Sequence, residues 1–250
     1  MDGLLGPQLA ALWPQLAGVA LYYTACKLGV RLLFGCAEDE RGWGKPETSI
    51  CAFVHQIVTA FLGYMAMARC GSYADLEDWL LTGWRLGTRL RTEELLIMVA
   101  NLAEMLTDTL LYSRYRGYGT SYHLHHLTTL LATLCFIARD SAPVGMAVLF
   151  SSILETGSCC LNAAGLFPCG LTYTIRLVCY PLSRLLATAL LCQCTLYGWR
   201  GHVGVPLISF APVWVLMLLN IRWATQILVG GLRRQGTDPW EVRPAQTKRS

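Results

Sequence analysis

Charged residues are scarce in this sequence. Only 14% of the 250 residues are Asp, Glu, Lys or Arg, whereas an average soluble domain carries about 25%. Hydrophobic residues make up 54% of the chain, and the mean hydropathy is positive. A soluble domain of this size needs charge to cover its surface. The composition therefore excludes a disordered chain, a nucleic-acid-binding module and an ordinary water-soluble enzyme, and it predicts a membrane protein.

Several processing and partner signals are also missing. The sequence has no Cys-x-x-Cys motif and no Asn-x-Ser/Thr site. Its eleven cysteines are odd in number and lie mostly in apolar runs, which favours free thiols packed between helices over a disulfide scaffold. No basic segment precedes the first apolar run, so we expect no cleaved signal peptide. The net charge of +4 is too small to predict nucleic acid binding.

Long apolar stretches are what the sequence does contain. A helix needs about 20 mostly apolar residues to cross a bilayer core of about 30 Å. Seven stretches qualify, at roughly 8–26, 50–68, 94–113, 122–138, 143–164, 174–198 and 204–231. We therefore predict an all-α, polytopic membrane bundle of about seven transmembrane helices.

The remaining segments have different compositions. Residues 73–93 alternate Leu and Trp with charged side chains, which predicts an amphipathic helix at the membrane surface. Residues 1–49 are expected to hold the first helix and a loop, and residues 50–235 the main helical domain. Residues 236–250 are polar and contain two prolines, and they predict a disordered tail.

Basic residues predict the orientation. Eleven Lys and Arg, Lys27 and Arg31 among them, fall in the predicted loops on one side, against six on the other. Cytoplasmic loops carry the excess of positive charge. We therefore expect the N-terminus outside or in the lumen and the C-terminus in the cytoplasm.

Ionisable residues also lie inside the predicted spans, where each costs at least about 2.5–3.5 kcal/mol and faces a bundle interior or a cavity. Asp108 lies about five residues, or about 8 Å, from the cytoplasmic end of the third span. His125, His126 and His55 lie at a similar depth on the fourth and second spans. Three helices are thus predicted to bring imidazole and carboxylate groups to one level.

A second polar layer is predicted deeper in the membrane. Glu104, Glu155, Arg184 and Arg222 each lie nine or ten residues from the cytoplasmic boundary, and we expect them to compensate one another's charge. Helical spacing adds Tyr122 and Thr129 to the His125 face, and Asn162 to the Glu155 face.

A histidine pair near a carboxylate suits acyl transfer. One imidazole takes a proton from an attacking hydroxyl or amine, or itself attacks a thioester, while Asp108 fixes its tautomer. Tyr122, Thr129 or the second histidine can then donate to the developing oxyanion. A structural polar pair at a helix start is the alternative. A metal site is a third reading of the His123-x-His125-His126 run, but membrane di-iron enzymes use many more histidines than the five present here.

The pattern resembles a known family. The segments VHQIVTAF at 54–61, SYHLHHLTTLLA at 121–132 and AVLFSSILETGSCCLNAAGLF at 147–167 resemble the TLC domain. That domain occurs in ceramide synthases, translocating-chain-associating membrane proteins and smaller TLC domain-containing proteins. An Asp 17 residues before a His-His pair, followed by a Glu on the next helix, carries the resemblance, which spans roughly residues 50–235.

The resemblance implies a six-helix TLC-type barrel plus one helix. It also implies that the protein lies in the endoplasmic reticulum, or alternatively in the plasma membrane or Golgi. It implies His125, His126 and Asp108 as catalytic residues and no bound cofactor. It also implies acyl-CoA as a co-substrate, membrane lipids or a fatty acyl chain as partners, and a homodimer. His55, Tyr122, Thr129, Glu104, Glu155, Asn162 and Arg184 would contact substrate.

Departures from the family keep a second interpretation open. Residues after His126 are uncharged until Arg139, and Ala164-Gly165-Leu166-Phe167 stands where the family has Arg-Trp-Phe. In these positions the sequence resembles the small TLC domain-containing proteins more than the ceramide synthases. The alternative is a protein without enzymatic activity that binds lipid or a membrane-protein client and tunes membrane composition. A receptor or transporter has the right span count, but the sequence has no inverted repeat or paired broken helices.

Overall fold

The protein is a helical bundle. The structure, a computed structural model, describes residues 7–35, 37–38, 44–45, 47–81, 92–115, 117–137, 144–199 and 210–233. The helices are α1 (Pro7–Phe34), α2 (Glu47–Ala68), α3 (Tyr73–Leu81), α4 (Thr92–Tyr112), α5 (Thr120–Ile137), α6 (Val144–Leu166), α7 (Gly170–Trp199) and α8 (Ala211–Arg233). Between α1 and α2, the two-residue strands β1 (Ala37–Glu38) and β2 (Gly44–Lys45) pair antiparallel. The all-α class is confirmed.

Six of the described helices are long and apolar enough to cross a membrane: α1, α2, α4, α6, α7 and α8. The remaining long helix, α5, has 18 residues, which at 1.5 Å per residue is about 27 Å. Its first turns carry His and Thr besides Leu124 and Leu127, which lowers the mean hydropathy of this helix. Large apolar residues such as Leu32, Leu110 and Leu171 are exposed on the outside, as expected for a surface that faces lipid. The chain is an integral, multi-pass membrane protein.

The bundle is a closed ring of six helices, with α1 and the short helix α3 outside it. Around the ring, α2 packs on α6, α6 on α7, α7 on α8, α8 on α5, α5 on α4, and α4 back on α2. Helix α1 packs on the outside, against α4 and α2. The seven long helices agree with the predicted polytopic bundle of about seven transmembrane helices, and six of them have the length and apolarity of a membrane span.

Local signals explain several helix boundaries. Gly35 adopts a left-handed conformation (φ 77°) and its N–H bonds to the carbonyl of Arg31, which ends α1. At the start of α3, the hydroxyl of Ser72 accepts from the N–H of Asp75 and donates to its carboxylate, a pairing that fixes the first turn. Helix α6 ends two residues before Pro168 because a proline disfavours helical geometry in the preceding residue.

The first predicted span was too short. The predicted span ends at residue 26, but α1 continues to Phe34. Lys27 and Arg31 therefore lie inside a helix and not in a loop. Counting them as loop charges was wrong, and the predicted excess of basic residues on that side is smaller by two. The predicted surface helix 73–93 is described only over Tyr73–Leu81, and the tail 236–250 lies outside the described residues.

The two ends of the ring differ in composition. We call the end where α2, α5 and α7 begin the histidine end. The opposite half holds the largest apolar cluster, which includes Met98 of α4, Phe136 of α5, Met146 of α6 and Phe210 next to α8. Met98 lies near the start of α4 and Phe136 near the end of α5, so these two helices run antiparallel. All ten cysteines within the described ranges are free.

Candidate functional site

A cavity of about 250 Å³ lies inside the ring. Polar side chains line its histidine end, and they include Gln56, Glu104, Asp108, Tyr118, Tyr122, His125, His126, Thr129, Glu155, Ser158, Asn162, Arg184 and Asn220. The opposite end is mostly apolar, with Met98, Ala132, Phe136, Met146, Phe150, Leu191, Cys194, Phe210 and Val213. Its polar members are Thr133 and the hydrogen-bonded pair Asn101–Ser151. The ring thus encloses a space that is polar at one end and apolar at the other, which is the polarity of a lipid.

The residues singled out from the sequence converge on this cavity. Asp108, His125, His126, Tyr122, Thr129, Glu104, Glu155, Asn162 and Arg184 all lie on its wall. The exception is His55, which is 2% exposed and contacts the carboxylate of Glu104 from outside the wall. The predicted substrate contact by His55 would therefore act through Glu104.

Lys27 of α1 reaches into the ring to neutralise Asp108. Its ammonium group donates to a carboxylate oxygen of Asp108 and to the hydroxyl of Thr107, the latter at 2.7 Å. The ammonium also lies 5.5 Å and 5.3 Å from the ring centroids of Tyr23 and Tyr112, close enough for cation–π attraction. Lys27 is 1% exposed, so its charge is neutralised inside the bundle.

A second chain of contacts runs from the same face of α1. The hydroxyl of Tyr23 and Nδ1 of His55 share a hydrogen bond, and Nε2 of His55 lies 2.6 Å from Oε2 of Glu104. Tyr23 and Lys27 are four residues apart and therefore point the same way from the helix. We call Tyr23, Lys27, His55, Glu104 and Asp108 the closed cluster, because each of its ionisable groups has a partner within it.

The closed cluster corrects one expectation. Asp108 was expected to orient His125 or His126, but among the described residues it bonds to Lys27 and to neither histidine. The reason is that α1 extends far enough to bring a lysine beside Asp108, and an ammonium group is the stronger partner for a carboxylate. A catalytic role for Asp108 stays a prediction.

His126 is held by the loop between α4 and α5. Its Nδ1 bonds to the hydroxyl of Tyr118 and lies 3.3 Å from that of Thr109. Burial raises the pKa of the Tyr118 phenol, so the phenol stays protonated and shares a hydrogen bond with Nδ1 of His126. The buried tyrosines Tyr112 and Tyr115 pack with Tyr118 and stabilise this arrangement.

His125 is different, because its Nδ1 is buried and has no hydrogen-bond partner among the described residues. The ring packs against Trp223 of α8 at 5.3 Å and beside His126 at 5.5 Å, measured between ring centroids. Buried ring nitrogens are nearly always hydrogen-bonded. An unsatisfied nitrogen in a cavity wall is a position for a ligand's donor or for a proton in transfer.

Arg184 lines the polar part of the cavity and is 4% exposed. Its guanidinium donates to the side chains of Asn220 (3.1 Å), Ser183 (2.9 Å) and Ser158 (2.7 Å) and to the carbonyl of Leu154 (2.8 Å). It also lies 3.8 Å from the ring centroid of Tyr180. These bonds use four of its five N–H groups.

Glu155 also lacks a close partner. Its carboxylate lines the cavity and makes no hydrogen bond or ion pair with any residue that the structure describes. Among the described residues, no carboxylate lies within 4 Å of the Arg184 guanidinium. We call His125, Glu155 and Arg184 the open cluster, because each lines the cavity and none has an ion-pair partner among the described residues.

The remaining predicted residues have simpler roles. Asn162 donates to Oε1 of Gln56 at 2.9 Å and so joins α6 to α2. Thr129 donates to the carbonyl of His125 at 2.8 Å. Its hydroxyl proton is therefore not available for the predicted hydrogen bond to the developing oxyanion. Arg222 was expected in the deep layer, and this was wrong: it is exposed. It follows the buried Asn220 by two residues and therefore points to the other side of α8.

Sequence reasoning missed Tyr23, Lys27 and Tyr118. The signal for Lys27 was present, since residues 28–34 are uncharged apart from Arg31 and the chain then reaches Gly35, a typical helix end. As for a metal, no three His, Cys, Asp or Glu side chains of the described residues are grouped to hold an ion.

Comparison with known proteins returns no relative: neither a family model, nor a curated protein, nor a solved structure matches this chain. Interpretation of the cavity therefore depends on its own chemistry.

Proposed function

We propose that this chain is a TLC-type membrane protein of lipid metabolism that binds a fatty acyl chain in its cavity and transfers it from acyl-CoA to a lipid acceptor. The observation that carries the proposal is the unsatisfied Nδ1 of His125 in the wall of a cavity that is polar at one end and apolar at the other. The apolar end suits the acyl chain, and the polar end suits the thioester and the acceptor. The arrangement of six ring helices plus one supports the TLC assignment.

His125 acts as the general base. It takes a proton from the hydroxyl or amine of the acceptor while the acceptor atom bonds to the thioester carbonyl carbon. The carbon–sulfur bond then breaks, and the departing CoA thiolate takes the proton from His125. The products are the acylated acceptor and free CoA thiol, and no other co-reactant is needed.

Arg184 stabilises the oxyanion of the tetrahedral intermediate. Its guanidinium is fixed by four hydrogen bonds to neutral groups, and Arg184 lines the cavity. A preorganised positive charge in a water-poor site is an effective stabiliser of developing negative charge. The histidine end is proposed to face the cytoplasmic side of the endoplasmic reticulum membrane, because acyl-CoA is made in the cytoplasm.

The test is transfer of a radiolabelled acyl group. Purified protein in lipid nanodiscs is incubated with labelled acyl-CoA and a membrane lipid extract, and labelled lipid is counted. Loss of a general base costs about 10²–10⁴-fold in rate, so we expect His125→Gln to lower transfer by at least about a hundredfold.

His123→Gln is the matched control. His123 lies on the same helix but is exposed and does not line the cavity, so its substitution should leave transfer within about twofold. Transfer that survives His125→Gln with its rate unchanged would overturn the proposal.

A second candidate function, lipid binding without catalysis, is favoured by the Lys27–Asp108 pair. In triad-type sites a carboxylate orients the catalytic imidazole, but here Lys27 occupies Asp108. This alternative predicts that the wild-type protein binds fatty acid and never transfers label.

A further inference from the structure

The apolar end of the cavity is closed by a floor. One residue from each of four ring helices, together with the residue that precedes α8, meets there: Met98, Phe136, Met146, Cys194 and Phe210. All five are buried, and Phe210 is 1% exposed. The rings of Phe136 and Phe210 meet edge to face, with their centroids 6.2 Å apart at 80°. Aromatic pairs of this geometry resist displacement better than aliphatic contacts of the same area.

The distance from the polar end to this floor can be read along α5. Phe136 follows His125 by eleven residues on one continuous helix, which corresponds to about 16 Å at 1.5 Å per residue. An extended hydrocarbon advances by about 1.25 Å for each carbon–carbon bond of about 1.5 Å. The space between His125 and the floor therefore accepts about 13 carbons.

We propose that Phe136 and Phe210 set the acyl-chain length that this cavity accepts, with a preference for about 12 to 14 carbons. The inference rests on the proposed function, since it takes the acyl carbonyl to lie beside His125. Longer chains would have to bend or displace the two rings, and shorter ones would leave apolar wall exposed to a void.

Two kinds of substitution shift the limit in opposite directions. Phe136→Ala and Phe210→Ala open the floor and should move the preferred length upward by at least two carbons. Ala132→Phe, four residues nearer to His125 on the cavity wall, should move it downward by about five carbons, because four residues of helix span about 6 Å.

The readout is binding, which does not depend on catalysis. Saturated fatty acids from eight to eighteen carbons compete with a photoreactive twelve-carbon fatty acid for the protein in nanodiscs, and crosslinked protein is measured for each length. Phe61→Ala is the matched control, because Phe61 is exposed on the outside of α2 and does not line the cavity. Phe136→Leu serves if Phe136→Ala does not fold.

Opposite shifts in the two kinds of variant, with the Phe61→Ala profile unchanged, would support the inference. An unchanged profile in folded Phe136→Leu and Ala132→Phe proteins would overturn it, and so would an equal loss of binding at every length. Length selection without label transfer would leave the inference standing and remove the catalytic proposal. Label transfer without length selection would support the catalytic proposal and overturn the inference about chain length.

Discussion

The closed and open clusters lie around one cavity and treat their charges in opposite ways. In the closed cluster, Lys27 pairs with Asp108, and His55 links Tyr23 to Glu104. In the open cluster, Glu155 has no close partner among the described residues, and Arg184 bonds only to neutral groups. Both clusters bear the cost of charge at membrane depth.

The difference separates structural charge from functional charge. A buried pair holds helices together, and its removal leaves a stranded charge behind. A charged group without an ion-pair partner stabilises the fold no more than a neutral isostere would. Its presence therefore points to a ligand. The closed cluster should therefore govern stability and the open cluster activity.

The largest effect is expected from Lys27→Met. This change leaves the partly buried carboxylate of Asp108 unpaired and should lower the free energy of unfolding by about 3–5 kcal/mol. Denaturant titration in mixed detergent micelles, followed by circular dichroism, measures it. Adding Asp108→Leu to the same chain should restore most of the loss, since no charge then remains unpaired.

Arg222→Met is the control for Lys27→Met, because Arg222 is exposed on α8, and it should change stability by no more than about 0.5 kcal/mol. Equal stabilities of Lys27→Met and wild type would contradict the structural role of the closed cluster.

A smaller loss is expected from Gly157→Ala, which tests the support of the open cluster. A Cβ at Gly157 would overlap the hydroxyl of Ser183 and the guanidinium of Arg184. Overpacking of this kind costs about 1–3 kcal/mol. Gly165→Ala on the same helix meets nothing within 4 Å and should be neutral or slightly stabilising. The comparison fails if both substitutions cost the same in the same titration.

The smallest change in stability is expected from Glu155→Gln. No partner is stranded by the substitution, so the free energy of unfolding should stay within about 1 kcal/mol of wild type. Acyl transfer should nevertheless fall at least about tenfold, or about 1.4 kcal/mol in activation free energy. Glu104→Gln, the same change in the closed cluster, should destabilise more. A Glu155→Gln protein that unfolds as readily as Glu104→Gln would erase the distinction between the clusters.

The fold and most of the cavity wall could be predicted from the sequence because both depend on periodicity. Helical spacing gives the face on which Glu104 and Asp108 lie, and residue counting gives their depth. These two coordinates were enough to bring His125, Glu155 and Arg184 to one cavity.

The partners could not be predicted, because they depend on how each helix is rotated against its neighbours. Asp108 had histidines at its own depth, and it pairs instead with a lysine that had been assigned to a loop. For Arg222, residue counting was misleading, since the residue lies on the exposed face of α8. Tyr118 lies outside the spans, where neither periodicity nor depth applies.

The position of α1 outside the ring has a consequence for biogenesis. Asp108 follows Lys27 by 81 residues, so a ribosome delivers α1 to the membrane long before α4. During that interval the lysine has no counter-ion, at a cost of about 2.5–3.5 kcal/mol in the bilayer. Helix α1 therefore either waits in the insertion machinery or keeps Lys27 near the membrane surface, and it docks only after α4 has been synthesised.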